Sequence, residues 1–480
     1  MGAGPKEIMS SAYGGYAAMP SGNTVESPPV ARPTQTSPGA KADGAQDRDS
    51  AARLGWLDVL RGLAALCVVF DHLSYYVLQP ARWAIYQWFD FGNYGVFVFF
   101  IISGYIVPAS LERKGSVRTF WVSRLFRLYP LYLLAVGLAV ALWMVHLGGL
   151  RGAGSDPETS VLSQLLMMSN VLAGPNLPNV VWSLSYEMVF YLVLVALFTA
   201  RIHRRSSWYA LAFAGVAVAL GGLLPRVYFS HSLSSPRLIA LGADLVMLAG
   251  LAAAVVLRGK PRILGAAFAA VVAVALLAFN GGWIYPWEAL TILALMFTGT
   301  VLYRAERGQY RWRYAIAVSA AVLGLAVAAG LWHIQAWGLS AHAELVWERR
   351  WVTSLLLAGL TFGAGLALRH VRWPAALTWL GLVSYSVYLL HPLLVEVYDH
   401  LPWVPDHHPL WLQILLAAAF GVVLIAVSSV TYLAVERPMQ NAGRRVARWL
   451  DHRFGPDRAR DRVPVRAEPV LAGRTRAATE

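Results

Sequence analysis

Long apolar runs separated by short polar breaks fill most of the chain, at about 57–78, 94–111, 127–147, 182–200, 207–224, 238–257, 263–279, 287–303, 314–333, 352–369, 376–398 and 411–435. Each holds roughly 17 to 25 residues, the length at which an α-helix crosses ~30 Å of hydrocarbon. Several runs are short. The pattern therefore predicts an all-α polytopic transmembrane helical bundle of ten to twelve spans over residues 53–438. Residues 1–52 are rich in Ala, Gly, Ser, Pro and Thr and lack a sustained apolar period, which predicts a disordered cytoplasmic N-terminal tail. The first apolar run starts too deep and runs too long for a cleavable leader, so it is expected to stay in the membrane. Residues 439–480 form a basic C-terminal tail. Within it, Arg444, Arg445 and Arg448 with Trp449 and Phe454 suit either a helix lying along the inner membrane surface or a solvated basic tail.

Composition excludes an ordinary cytosolic enzyme: 57% of the 480 residues are hydrophobic and 14% charged, where a soluble domain carries about 25% charged residues. The net charge of +14 is not concentrated in any compact soluble segment. The lipid bilayer, and not nucleic acid, is the expected partner. Alternate loops carry Arg113, Lys114, Arg118, Arg124 and Arg127, then Arg201, Arg204 and Arg205, Arg258, Lys260 and Arg262, Arg304, Arg307, Arg311 and Arg313, and Arg369 and Arg372. The intervening loops hold only Arg82, Arg151, Arg226, Arg237, Arg349 and Arg350. Short cytoplasmic loops are enriched in Lys and Arg, so both termini are placed in the cytoplasm of a multi-pass protein, in a bacterial inner (plasma) membrane. The single Cys67 excludes an intrachain disulfide and a cysteine-based metal centre. Neither a metal nor a resident cofactor is expected.

Ionisable groups inside spans are expensive and mark functional sites by default. Asp58, Arg61, Asp71 and His72 all lie in the first run. At 100° per residue, Arg61 and His72 differ by about 20° around the helix and by about 16 Å along it, so they share one face. Asp58 sits on the same stripe, one turn from Arg61, where it can pair with that arginine. Ordinary interfacial snorkelling explains Asp58 and Arg61 as well, but His72 with the adjacent Asp71 lies too deep for that. Ser103 and Gly104 end a phenylalanine-rich stretch and suit close helix packing. Arg124 and Arg127, one turn apart, suit bidentate phosphate binding or plain anchoring. Trp182-Ser183-Leu184-Ser185-Tyr186-Glu187 opens the fourth run, and Ser384 to His391, through Tyr388, lies in the eleventh. The topology places His72, Glu187 and His391 in the middle-to-outer layer and Arg61, Arg124 and Arg127 on the inner side, along one polar path.

Together these segments resemble the acyltransferase-3 family of integral membrane O-acyltransferases. The resemblance rests on the Arg61-x10-His72 pair, the Ser103-Gly104 stretch, Arg124/Arg127/Pro130, Trp182-Ser-Leu-Ser-x-Glu187, Ser384-Tyr385-Ser-x-Tyr388 with His391, and Glu436-Arg437-Pro438. One departure is Gly95-Val96-Phe97-Val98-Phe99, where many relatives carry an acidic residue. Twelve runs also exceed the ten spans associated with the core fold. The resemblance implies transfer of an acyl group from acyl-CoA, a co-substrate, to a hydroxyl of a carbohydrate or glycosylated small molecule, with Arg61 and His72 essential. On that reading His72 is the general base, oriented or tuned by Asp71 or Glu187, and Arg61 polarises the donor. Arg124 and Arg127 hold phosphates, and Trp182, Ser183, Tyr388 and His391 bind substrate. Short outer loops favour a small acceptor over a long polymer. The rival reading is a proton-coupled secondary transporter or exporter, whose buried His and carboxylates relay protons. Ligation of haem by His72 and His391 is a third, requiring two facing histidines.

Overall fold

The computed structural model describes residues 38–147, 161, 163–172, 174–225, 236–282, 284–401, 409–455 and 457. Most of the expected N-terminal tail and the end of the C-terminal tail lie outside them. The chain divides into two compact units, Met1–Ser50 and Ala51–Glu480. Of the first, only the helical residues 38–50 are described, and all that follows concerns the second.

All regular structure among the described residues is helical. In chain order the helices are α1 (Pro38–Leu73), α2 (Gln79–Tyr86), α3 (Phe91–Lys114), α4 (Val117–Met144), α5 (Trp182–Thr199), α6 (Ser206–Leu220), α7 (Pro236–Val256) and α8 (Lys260–Phe279). They continue with α9 (Pro286–Glu306), α10 (Trp312–Gln335), α11 (Ala341–Ala367), α12 (Ala375–Leu382), α13 (Ser384–Asp399), α14 (Leu410–Thr431) and α15 (Arg437–Phe454). A π-turn, Tyr432–Glu436, joins α14 to α15. Every predicted apolar run coincides with a helix.

Among the described residues, eight helices are long and apolar enough to cross a bilayer, or nine if the bent pair α12 and α13 is one span. The other runs fall short for visible reasons: α6 and the apolar part of α7 are short, and the apolar part of α1 carries Asp58, Arg61 and Asp71. Outward faces expose large apolar side chains, among them Leu264, Phe268, Leu360, Val422 and Val430. Such a surface is a liability in water and an ordinary one in lipid. The protein is a multi-pass membrane protein.

At the centre lies α9, apolar on all sides and packed by α3, α6 and α10. Its crossing with α3 brings backbones together: a Cβ added to Gly104 would sit 1.7 Å from the Met296 carbonyl oxygen, and one on Gly299 would sit 2.2 Å from that of Ile101. Thr300 Oγ1 donates to the Gly104 carbonyl at 2.8 Å, using the same proximity. Gly104→Ala must push two rigid backbones apart, so we expect a stability loss of about 3 kcal/mol, the upper range for overpacking. Thermal unfolding in detergent checks this, with Gly137→Ala, whose added Cβ meets nothing within 4 Å, as the neutral control.

Three of the basic residues that read as loop charges are buried and paired with carboxylates. Arg304 donates to Ser206 Oγ (2.7 Å), Glu112 (2.8 Å) and the His203 carbonyl (2.8 Å). Arg350 pairs with Asp90, the N-cap of α3, and Arg82 pairs with Asp71 at 3.3 Å. They are internal fasteners, Arg304 and Arg350 to residues far away in sequence and Arg82 to its near neighbours Asp71 and Ser74.

Candidate active site

Five elements build an arginine-lined cavity of about 90 Å³: α1 gives Arg61, α3 Ser103, α4 Arg124 and Arg127, α5 Ser183, Glu187 and Tyr191, and α13 Ser384, Tyr385 and Tyr388. The eleventh predicted run is not a single rod. It bends by 66° between α12 and α13, beside Gly381, where a Cβ would lie 1.9 Å from the Asp58 carbonyl oxygen. The break opens the first turn of α13 toward the cavity, adding the positive end of a helix dipole to three arginines. Arg61 lies 3.8 Å from Asp58, and the Arg124 guanidinium sits 5.3 Å from the centre of the Tyr191 ring.

Glu187 is the cavity's carboxylate. It accepts from Ser103 Oγ at 2.7 Å and from the Tyr191 hydroxyl at 2.6 Å. The sequence placed it in the middle-to-outer layer with the histidines; the structure brings it instead into the wall of the cavity that holds Arg61, Arg124 and Arg127. The cause is the segment before α5, which folds into the bundle. Ser163, Asn170, Val171 and Val180 are buried, while Asn170 Nδ2 donates to the Tyr186 hydroxyl and the Gly281 carbonyl, each at 3.0 Å. The first turn of α5 is therefore already internal.

His72 and His391 meet elsewhere, with His72 Nδ1 2.7 Å from His391 Nε2 and the rings stacked at 5.0 Å between centroids. Neither lines the arginine cavity. The second nitrogen of His391, Nδ1, lies 3.1 Å from the Val387 carbonyl oxygen. A carbonyl only accepts, so His391 carries its proton on Nδ1 and its Nε2 is bare. That bare nitrogen in turn requires the proton of His72 on Nδ1. In the neutral pair, His72 Nε2 is left with a free lone pair.

Asp71 and Glu187 were the expected partners of His72, and the hydrogen bonds run otherwise. Asp71 goes to Arg82, which also donates to the Asp71 carbonyl (2.7 Å) and Ser74 Oγ (2.8 Å); Glu187 goes to Ser103 and Tyr191. The Arg82 guanidinium lies 3.5 Å from the centre of the Tyr75 ring and 4.5 Å from that of Tyr86. With Arg350 and Asp90, these residues frame the histidine end of α1.

Two helical ladders join the levels. Arg61 to His72 spans about 16 Å of α1, and Tyr388 to His391 is nearly one turn of α13. The Tyr388 hydroxyl donates to the Val180 carbonyl (3.0 Å) and lies 2.7 Å from Ser183 Oγ, while its ring contacts His391 at 6.0 Å. Tyr388 therefore stands between the cavity and the histidines. Trp182 is outside the cavity wall and packs on Tyr186 at 5.8 Å.

The match to the family profile described as an acyltransferase domain covers residues 54–433. The chain belongs to the acyltransferase-3 family. Among curated members, the acyltransferase MdmB of Streptomyces mycarofaciens is 32% identical over 35% of this chain and 45% of its own length. The putative membrane-bound transacylase BcsY of Komagataeibacter xylinus is 25% identical over 79% of this chain and 81% of its own. The peptidoglycan O-acetyltransferase OatA of Listeria monocytogenes is 29% identical over 28% of this chain and 23% of its own. The chain spans about half or less of the length of the first curated relatives it matches. No solved structure gives a significant match.

Some site residues carried little signal. Ser103 reads as a packing residue but holds Glu187; Tyr191 is not singled out by the sequence, and Tyr385 enters only as a position in the Ser384-Tyr385-Ser-x-Tyr388 motif. The Ser386–Glu436 hydrogen bond, set by the π-turn, has no local signature. Asp244 on α7 also escaped the reading: it is 2% exposed, and its carboxylate has no hydrogen-bond partner among the described residues.

Proposed function

We propose that the protein transfers an acyl group from acyl-CoA to a hydroxyl of a carbohydrate or glycosylated small molecule, across a bacterial inner membrane with both termini in the cytoplasm. The observation that carries this reading is the two-level site, an arginine-lined cavity joined by Tyr388 to the His72–His391 pair. The donor enters at the cavity, where Arg124 and Arg127 meet its diphosphate and Arg61 seats the pantetheine arm, which carries the thioester the ~16 Å along α1 to the histidine end. The acceptor arrives at the histidine end. An alcohol is a weak nucleophile at neutral pH, so its proton passes to His72 Nε2 as its oxygen attacks the thioester carbonyl carbon. The C–S bond then breaks, and the CoA sulfur leaves with a proton, giving the ester. His391 keeps His72 in the tautomer that accepts the proton, and Glu187 holds the cavity's hydrogen-bond network. The sugar-linked names among the relatives, peptidoglycan for OatA, support a hydroxyl-bearing acceptor. Termini and sidedness follow from the loop charges.

The test is direct. Purified protein given acetyl-CoA and a panel of glycosides is expected to release CoA thiol in step with an ester product seen by mass spectrometry. Movement of solute with no ester formed would instead identify the exporter. Within this assay Arg124→Ala is expected to raise KM for acyl-CoA about ten-fold, a typical loss for one charge-assisted contact. KM for the acceptor should hold steady, and the reverse pattern would refute the phosphate role.

A further inference from the structure

A second cavity, open and of about 750 Å³, lies between α4 and α15. Lys114, Ser123, Arg444, Arg445, Arg448 and Asp451 are among its lining residues. The carboxylate of Asp451 is already engaged by Arg118 Nη2 at 3.1 Å and lies 3.5 Å from Thr119 Oγ1. Lys114 is held by Ser123, and Arg444, Arg445 and Arg448 are exposed. The cavity is therefore strongly cationic and accessible.

Its position is set by geometry. Leu410–Phe454 is a 45-residue run of helix broken only by the π-turn, about 68 Å long at 1.5 Å per residue and more than twice the hydrocarbon thickness. Its polar second half, α15, must project beyond the hydrocarbon. There it runs antiparallel to the start of α4: Gly443 packs on Phe126, and Asp451 reaches Arg118. The same stretch of α4 continues from Ser123, in the wall of this cavity, straight into Arg124 and Arg127, in the wall of the first. From Thr119 to Arg127 is about 12 Å of rise.

We propose that this basic cavity binds the ribose 3′-phosphate of the acyl-CoA donor, beyond the diphosphate met by Arg124 and Arg127, a proposal that rests on the donor assigned above. Acyl-CoA carries a diphosphate and a ribose phosphomonoester at one end and the thioester at the other. The two cavities, on consecutive levels of one helix, match the order of phosphomonoester, diphosphate and arm along the donor. An anionic lipid headgroup offers the same phosphate chemistry. However, the side chains lining this cavity include no large apolar one, so acyl tails find no wall here.

The experiment uses full-length protein in phosphatidylcholine nanodiscs, titrated with CoA and with 3′-dephospho-CoA. In the unaltered protein, removal of the 3′-phosphate is expected to weaken binding several-fold. Arg445→Ala/Arg448→Ala is expected to raise the Kd for CoA about ten-fold, the loss of charge-assisted contacts to phosphate, and Arg445→Lys/Arg448→Lys is expected to recover part of it. Equal affinity for CoA and 3′-dephospho-CoA, or an unchanged Kd in the alanine variant, would overturn the proposal. If that variant binds CoA normally but loses affinity for phosphatidylglycerol vesicles, the cavity is a headgroup site. If the unaltered protein binds no CoA at all, the donor reading itself fails. The three failures are distinguishable.

Discussion

His72→Ala is expected to lower kcat for ester formation about a thousand-fold, mid-range for loss of a positioned general base, with little change in KM for acyl-CoA. The half-buried ring packs on His391, so its removal leaves a small gap and an unmatched His391 Nε2. The variant is expected to fold, which thermal unfolding verifies. His391 separates proton transfer from packing. Because His391 Nε2 accepts from His72 Nδ1, His391→Gln retains an acceptor oxygen and is expected to preserve more kcat than His391→Leu, with KM similar in both. Equal kcat in the two would mean that His391 only fills space. Turnover unchanged in His72→Ala would remove the base from the mechanism.

Arg61→Ala carries the second large effect, a fall in kcat of about a hundred-fold, the loss of one buried charged contact that seats the donor. Arg61 shares the cavity with Arg124, Arg127 and Glu187, so its loss also leaves Glu187 with less positive charge nearby. Glu187→Gln offsets that imbalance if charge alone is at stake. The double variant Arg61→Ala/Glu187→Gln is therefore informative: recovery of folding without recovery of kcat supports a role for Arg61 on the donor, whereas recovery of both would reduce it to a counterion. Thiol-release kinetics in detergent, with melting temperature beside them, resolve the two outcomes.

The helices were legible because they depend on local periodicity and run length, and the loop charges set Arg61, Arg124 and Arg127 on one side, but only the packing of α1 and α4 brings the three to one cavity. The depth of Glu187 was not legible. It depends on residues 163–172 and 174–181 folding inward, and the polar groups that make this possible, Asn170 and Asn280, find partners far along the chain, at Gly281 and Val171. The Asp90–Arg350 pair is hidden in the same way, since its members are 260 positions apart. The contact between His72 and His391 spans 319 positions. Each residue was marked by its cost in a membrane, but only the packing of α1 on α13 makes one the hydrogen-bond partner of the other. Loop charge also misled at Arg82, Arg304 and Arg350, because a basic residue at a helix end has the same sequence appearance whether it faces water or a buried carboxylate.

Donor and acceptor enter this account at opposite ends of one polar path, and sided proteoliposomes test that most directly. With acetyl-CoA sealed in the compartment facing the arginine cavity and the glycoside only in the other, ester is expected to accumulate in the acceptor compartment and to vanish in His72→Ala. Ester that forms only when donor and acceptor share a compartment would contradict it.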